Sequence, residues 1–462
     1  MAQDYDVIVI GGGAAGEVLA GRTAEGGLKT VLIEKELVGG ECSYWACQPS
    51  KALLRPGELM AEIKRTPGVR EAVTGDIDVA AALERRNQVT DNWTDDRQLR
   101  WLDSVNVDLI RGTAHIIGER TAHIDENDGS SREMTANKAV VIATGSYPSI
   151  PPIPGLAESN PWGSRDATSA KSAPERLIIL GGGVVGVEMA AAWKSLGSKE
   201  VTILEAGSRL LMREEPFAAE AVQKSFDEMG IRVLTNIRAT EVKRENGEVT
   251  VSLDNGETVI GDEILAATGR RAASDNVGLE AAGLEPGKFI EVDDQMRASG
   301  VDDGWLYAVG DVNGRIQLTH MGKYQARIGG DTILGKDVKA TSDKNAIPRV
   351  VFTEPQLAAV GLTEAQAKDQ GLNVTAVQYP YGWTAGAEAH GEGIEGMTQF
   401  VIDNDRRVIV GATFVGPGAG DHLHSATIAI VGEVTVDKLM DAVPAFPTIS
   451  EFWLWALMEY GL

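Results

Sequence analysis

Short runs of Val, Ile and Leu punctuated by glycine recur along the chain, the pattern of strands buried on both faces of a parallel sheet. Tyr5 to Ile10 forms one such run, followed by Gly11-Gly12-Gly13-Ala14-Ala15-Gly16, a small-residue helix and a second strand from Thr30 to Ile33 that ends at Glu34. The arrangement returns at residues 177–180, with Gly181-Gly182-Gly183-Val184-Val185-Gly186, a helix to about Leu196 and a strand over 201–204 that ends at Glu205. A strand over 139–142 meets Ala143-Thr144-Gly145, and Ala267-Thr268-Gly269 repeats that turn. Between the two halves, residues 79–102 read as one long amphipathic helix, with Leu83, Trp93 and Leu102 among its apolar positions. Residues 147–155 carry four prolines and read as a stiff connection between domains. A strand over 305–309 leads to Gly310-Asp311 and places a carboxylate at a strand end, where it suits a ligand hydroxyl or simply a turn. From Ile347 onward, strands at 350–352, 399–402 and 408–414 separated by helical stretches such as 363–369 describe an α+β domain without a phosphate loop or catalytic triad.

Strand, Gly-x-Gly-x-x-Gly, helix, strand and closing acid together make a dinucleotide-binding fingerprint. Gly11 makes the tight turn, Gly13 lets a pyrophosphate reach the backbone, Gly16 lets helix and sheet pack closely, and Glu34 accepts from a ribose diol. Gly181, Gly183, Gly186 and Glu205 repeat these roles, so the chain reads as holding two nucleotide cofactors. Glu205 would repel a 2′-phosphate and accept from a free hydroxyl, favouring NADH over NADPH, with Arg209 and Arg213 nearby as the opposing signal.

At 462 residues the chain exceeds what one core usually serves and reads as multidomain. Its 67 acidic against 43 basic residues argue against nucleic acid or an anionic membrane as partner. Met1-Ala2-Gln3-Asp4 lacks the basic segment of a signal peptide and no apolar run is long enough to span a bilayer, which reads as a cytoplasmic protein.

Both cysteines of the chain lie in Gly39-Gly40-Glu41-Cys42-Ser43-Tyr44-Trp45-Ala46-Cys47-Gln48-Pro49-Ser50-Lys51. On one regular helix two thiols so spaced would point to different faces, so pairing requires an irregular turn between them. Pro49 fits a first helical turn, so a helix starting near Cys47 is expected, with an N-terminus that would favour a Cys47 thiolate. The spacing is not that of a zinc site and no metal cluster accompanies it. Redox chemistry is the reading preferred over two inert buried cysteines, since a reducing compartment disfavours structural pairs.

Two fingerprints, the Cys-x4-Cys segment, both Ala-Thr-Gly turns and Gly310-Asp311, in this order over nearly the whole chain, resemble the FAD-dependent pyridine nucleotide-disulfide oxidoreductases, the family of lipoamide dehydrogenase, glutathione reductase and mercuric reductase. The resemblance implies that Gly11, Gly13, Gly16, Glu34 and Gly145 serve FAD, that Asp311 holds its ribityl chain, and that Gly181, Gly183, Gly186, Glu205 and Gly269 serve the nicotinamide cofactor. It further implies that Cys47 faces the flavin, that Cys42 is the interchange thiol, that Lys51 lies near flavin N5 paired with Glu188, and that the C-terminal segment makes a homodimer. The chain departs from the family at its end. Where the family has His-Pro-Thr-x-x-Glu, this chain has Phe446-Pro447-Thr448-Ile449-Ser450-Glu451, keeping the glutamate and losing the acid-base histidine. Tyr44 and Trp45 are also bulkier than the family's usual residues between the cysteines, which points to core packing or to a reshaped thiol side. His422 and His424 are weighed as substitute proton carriers and read, with His320 and His390, as surface residues.

The fold class implied is α/β, with two Rossmann-like domains for FAD and NAD and a C-terminal α+β dimerisation domain. The corresponding divisions are 1–155 and 276–346 for FAD, 156–275 for NAD(P) and 347–462 for the interface. The implied activity passes electrons from NADH through FAD and the Cys42-Cys47 disulfide to a small disulfide. Reduction of quinones or metal ions, the reverse direction as in lipoamide dehydrogenase, and a flavin-dependent redox sensor stand as alternatives.

Overall fold

The computed structural model describes residues 5–462. The opening Met1-Ala2-Gln3-Asp4, where a basic leader is lacking, lies outside them. The chain divides into two compact units. The first is built from the chain up to Pro49, Arg86–Ser149 and Gly269–Asp343, and the second from Ser50–Arg85, Ile150–Thr268 and Lys344–Leu462.

In the first unit Tyr5–Ile10 pairs in parallel with Thr30–Ile33 on one side and with the end of Ser131–Ile142 on the other, in the register Val7↔Ala139 to Ile10↔Ile142. Val107–Ile110 extends the sheet beyond Thr30–Ile33, and Leu306–Ala308 extends it beyond Ser131–Ile142. These strands are almost wholly buried, as β-branched runs covered on both faces must be. Ser131–Ile142 is long enough to leave this sheet at its other end and pair antiparallel with Thr121–Glu126, itself paired with Gly112–Gly118. Helix Ala14–Glu25 runs beside helix Thr319–Ile333, and glycines allow the approach. A Cβ at Gly329 would meet Leu19 at 3.3 Å and one at Gly322 would meet Ala15 at 3.5 Å. Arg22 and Asp331 close the far end of the pair at 2.8 Å.

In the second unit four parallel strands run in the order Arg232–Leu234, Glu200–Leu204, Arg176–Leu180, Glu263–Ala266. Helix Val184–Ser195 lies against them, with Trp193 fully buried. A three-stranded antiparallel meander over 239–261 adjoins this sheet. The C-terminal stretch forms a five-stranded antiparallel sheet in the order Pro348–Val351, Gln356–Gly361, Val408–Gly416, Met397–Asp403, Val374–Pro380. Helix Ala419–Val431 and the Phe400, Phe414, Phe452 cluster cover one of its faces. This is the α/β architecture with a C-terminal α+β portion read from the pattern of strands.

Two expectations need correction. The single helix over 79–102 is two helices, Val79–Val89 and Asp96–Ser104, because Asp91, Asn92 and Trp93 all take positive φ and break the hydrogen-bond ladder. Trp93 therefore leaves the helical stripe, and its indole N–H donates to the Tyr44 carbonyl at 3.2 Å. The strand before Gly310 is shorter than read, Leu306–Ala308, and Asp311 sits in the 3-10 turn Gly310–Asn313 that comes after it.

Candidate active site

The thiol segment begins at two glycines in left-handed conformation, Gly39 with φ 111° and Gly40 with φ 59°. Their backbone comes down onto the first glycine loop: the Gly39 N–H donates to the Gly12 carbonyl at 2.8 Å, and a Cβ on Gly40 would lie 2.8 Å from the Gly13 Cα. A side chain at position 40 would force the two loops apart. Beyond them Gly40–Tyr44 forms one short helix, Trp45 ends it, and Cys47 opens the next helix, Cys47–Arg65. The irregular turn that pairing requires is this break. Tyr44 is buried and its hydroxyl donates to the Val38 carbonyl at 3.0 Å, so it serves packing.

Both thiols are free and half-buried. The hydrogen bond with Cys47, then burial, push the Cys42 thiol well up, while Thr319 and Lys323 pull in the opposite direction. Cys47 Sγ lies 3.2 Å from Thr319 Oγ1, at the start of the Thr319–Ile333 helix. Reading the sequence missed Thr319 and Lys323. They stand 272 and 276 positions beyond Cys47, with only the opening of a helix after a short polar stretch to mark them.

The glycine loop beneath the thiol segment behaves as the fingerprint requires. A Cβ on Gly16 would fall 1.9 Å from the Gly11 carbonyl oxygen, and one on Gly11 would fall 2.6 Å from the Ala143 carbonyl oxygen. At Gly13 a Cβ would meet nothing within 4 Å, so the loop is open on the side a diphosphate would take. Glu34 accepts from the Gly12 N–H at 2.6 Å and the Glu36 N–H at 2.7 Å, which fixes its carboxylate at the strand end. Thr144, in the first Ala-Thr-Gly turn, has a buried hydroxyl without a partner in the chain. Asp311 accepts from the Ser146 hydroxyl at 2.5 Å, and Arg270 donates to that same hydroxyl at 2.6 Å and to the Ser146 carbonyl at 2.7 Å. Ser146–Pro148 and Arg270–Ala272 form a two-stranded ribbon, so Gly145 and Gly269 each lead into one strand of it. Open backbone at Gly13, an orphaned hydroxyl at Thr144 and a held carboxylate at Asp311 fit a bound FAD.

In the second unit the same loop recurs, with Gly186 pressed on Gly181 at 2.0 Å, Gly181 on Ala267 at 2.6 Å, and Gly183 open. Glu205 accepts from the N–H groups of Gly182 at 2.6 Å and Gly207 at 2.5 Å. The Arg209 guanidinium is taken up by the carbonyls of Leu210, Leu211, Met212 and Glu214, and Arg213 is exposed. Lys51 Nζ lies 2.7 Å from Glu188 Oε2 and 4.6 Å from the Phe352 ring centroid, while the Phe352 N–H donates to Glu188 Oε1 at 3.0 Å. Glu188 is thus buried with both oxygens engaged.

At the chain end Glu451 accepts from the Thr448 N–H at 3.2 Å and caps its own turn, and Phe446 is 78% exposed. His422 departs from the surface reading: it is half-buried on helix Ala419–Val431, edge-on to Tyr381 and Phe452, and burial lowers its proton affinity. His424, His320 and His390 are exposed as read.

Residues 5–326 match the family model described as pyridine nucleotide-disulphide oxidoreductase, and residues 347–457 match that family's dimerisation domain. The chain belongs to the FAD-dependent pyridine nucleotide-disulfide oxidoreductases. It is 31% identical to a mercuric reductase of Staphylococcus aureus over 97% of this chain and 81% of that protein. It is 34% identical to a dihydrolipoyl dehydrogenase of Chlorobaculum tepidum over 98% and 96%. Among solved structures, the Cu(II) complex of the HOCl-induced flavoprotein disulfide reductase RclA from Escherichia coli superimposes with a TM-score of 0.87 at 27% identity, covering 99% of both chains. LpdA from Mycobacterium tuberculosis gives a TM-score of 0.87 at 26% identity, covering 98% of this chain and 99% of that one. FAD and a pyridine nucleotide are the cofactors typical of the family, and the chain is an oxidoreductase carrying its dimerisation domain. No helix of the described residues is long and apolar enough to cross a membrane.

The two ends of the loop separate packing from binding. Gly16→Ala forces a methyl group onto the Gly11 carbonyl and should destabilise the protein by about 1–3 kcal/mol in thermal or urea unfolding. Gly13→Ala has room for its methyl in the chain itself, so unfolding of the apoprotein should change little while flavin retention on purification falls. Equal loss of stability in both variants would contradict this division.

Proposed function

We propose that the enzyme takes two electrons from NADH and delivers them, through FAD and the Cys42/Cys47 pair, to a small disulfide. The observation that carries this reading is the pair itself, two free thiols hydrogen-bonded to one another across a helix break, one of them opening a new helix. Bound FAD would supply two-electron transfer between nicotinamide and sulfur. In this reading Gly11, Gly13, Gly16, Glu34, Gly145 and Asp311 hold FAD, while Gly181, Gly183, Gly186, Glu205 and Gly269 hold the nicotinamide cofactor. Lys51, held by Glu188, presents an ammonium toward the flavin and would favour its reduced, negatively charged form. Cys47 takes the flavin side and Cys42 the acceptor side. Residues 1–155 with 276–346 then make the FAD domain, 156–275 the NAD domain and 347–462 the interface domain.

NADH is favoured because Glu205 is fixed by two backbone N–H groups where a ribose hydroxyl would donate. The cation best placed to oppose it, Arg209, is committed to four main-chain carbonyls. A homodimer completes the site, with Glu451 in the segment that closes it. Val443, Phe446, Ile428 and Val431, exposed on the C-terminal portion, supply apolar surface for the interface. A cytoplasmic location agrees with the free thiols. A metal ion as acceptor is the second reading, favoured by the relatives named mercuric reductase and by phenylalanine at position 446, since a metal bound by two thiolates is reduced without protonating a leaving thiol.

Steady-state kinetics should give the higher kcat/KM with NADH, and a preference for NADPH would overturn the reading of Glu205. Ultracentrifugation should show a dimer at working concentration, and a monomer would remove the shared site. Cys42→Ser should leave flavin reduction by NADH intact and abolish turnover of the disulfide acceptor. Retained turnover with the physiological acceptor would mean that electrons leave the flavin directly and would discard the thiol relay.

A further inference from the structure

We propose that Lys323, held by Glu17, is a positioning residue that keeps Cys42 in its attacking thiolate form, a task for which the chain has no histidine at position 446. The inference rests on the thiol relay proposed above and names a residue that the family ending does not contain.

Thr319 and Lys323 are one helical turn apart on the same face of the Thr319–Ile333 helix. Thr319 Oγ1 lies 3.2 Å from Cys47 Sγ and also hydrogen-bonds Cys42, so this face is the one turned to the thiols. Lys323 Nζ lies 3.7 Å from Glu17 Oε1, on the neighbouring helix Ala14–Glu25. The Glu17 side chain is only 14% exposed, against 42% for Lys323, so the carboxylate is an inward anchor and the ammonium reaches out from it. Small residues permit the arrangement: Gly322, next to Lys323, brings its helix within van der Waals reach of Ala15.

The charged and titratable groups around the pair come from four elements. Lys323 faces Glu17 from the Thr319–Ile333 helix, and Arg97 acts on it from Asp96–Ser104. The Tyr44 phenol senses Glu17 from Gly40–Tyr44, and Cys42, from that same short helix, senses Lys323. Burial raises the Glu17 carboxyl and the two cations oppose that rise. At Cys42 the field of the Lys323 ammonium works against burial and against the neighbouring thiol. A fixed cation near a half-buried sulfur favours thiolate without itself exchanging a proton.

The step balances within the dithiol and the acceptor. The Cys42 thiolate attacks one sulfur of the acceptor disulfide, breaking its S–S bond, forming a mixed disulfide and releasing one thiolate, which is protonated from water. The Cys47 thiolate then attacks Cys42 Sγ, re-forming the Cys42-Cys47 disulfide and releasing the second thiolate. Two electrons pass from the dithiol to the acceptor, and the two protons the dithiol gave up match those on the product thiols.

The test is the pH dependence of Cys42 alkylation by iodoacetamide in reduced, FAD-loaded enzyme, resolved by peptide mass spectrometry. It needs neither acceptor nor turnover, so its failure is distinct from failure of the thiol relay, which Cys42→Ser reads. Lys323→Gln should slow alkylation at neutral pH about tenfold, a rise of about one unit in the thiol midpoint, and Lys323→Arg should restore it. Glu17→Gln, which leaves the ammonium in place, should not slow it, and the double variant Glu17→Gln/Lys323→Gln should match Lys323→Gln. Flavin absorbance reports whether each variant is folded, and the double variant substitutes where Lys323→Gln alone loses flavin. An unchanged profile in Lys323→Gln or in the double variant, or a Glu17→Gln variant as slow as Lys323→Gln, would overturn the proposal, because the pair would then act only as a structural contact.

Discussion

The hydrogen bond from Gly39 to Gly12, and the close pass of Gly40 over Gly13 that accompanies it, is the contact on which the site depends. It fixes the thiol segment to the loop that would cradle the diphosphate, so sulfur and cofactor are registered by backbone rather than by flexible side chains. Backbone at this distance admits no Cβ on Gly40, and the left-handed φ of both Gly39 and Gly40 would strain any other residue. The tight turn beyond them is then held by its surroundings. The Tyr44 hydroxyl bonds to Val38, the Trp93 indole to Tyr44, and the Val38 N–H to Asp95, whose carboxylate also receives Arg111. Positions 44 and 93 thus belong to the frame that holds the cysteines apart from a regular helix.

Each nucleotide loop solves the same problem with the same carboxylate geometry. Glu34 and Glu205 each accept one N–H from the middle glycine of their loop and another from the residue two positions beyond themselves. Two bonds to the backbone hold the carboxylate in the ionised state and in one orientation, leaving its remaining lone pairs for a ligand. Past the carboxylate the two loops diverge. Beside Glu205 the chain turns back on Arg209, whose five donors satisfy the carbonyls of an irregular stretch that would otherwise lack partners. An arginine that reads in the sequence as a phosphate ligand is here a device for closing a loop.

The strands, the glycine loops and the helix starting at Cys47 were legible because each is written in adjacent residues: β-branched runs, glycines at fixed offsets, a proline in a first turn. The family resemblance came from their order. The break at 91–93 was not legible, since the apolar spacing of Leu83, Trp93 and Leu102 survives while three left-handed residues interrupt the backbone. Nor were Ser146, Arg270, Thr319 and Lys323, whose partners lie far away in sequence, as with the 165 positions between Ser146 and Asp311. Side-chain contacts of that range are set by tertiary packing, and no local pattern encodes them. His422 differs from its surface reading for a related reason: its polar neighbours suggest surface, but the helix turns its ring onto Tyr381 and Phe452.

Phenylalanine at 446 changes the proton economy of the site without removing its electron path. Glu451, which in the family orients the histidine, has its oxygen on the Thr448 N–H, so the turn keeps its shape with no imidazole to hold. A thiol relay lacking a general acid at this place favours acceptors whose departing group needs little help: disulfides of acidic thiols, or metal ions that accept electrons while bound to sulfur. Acceptors that release basic alkyl thiolates would be slow by the same reasoning. What must be supplied from within the chain is the attacking thiolate itself, and burial with a neighbouring thiol works against it at Cys42. An ammonium anchored by a buried carboxylate meets that need at all pH values where both stay charged, whereas an imidazole meets it only while titrating. The chemistry left to such a site is therefore narrower in its acceptors and flatter in its response to pH than that of a relay built around histidine.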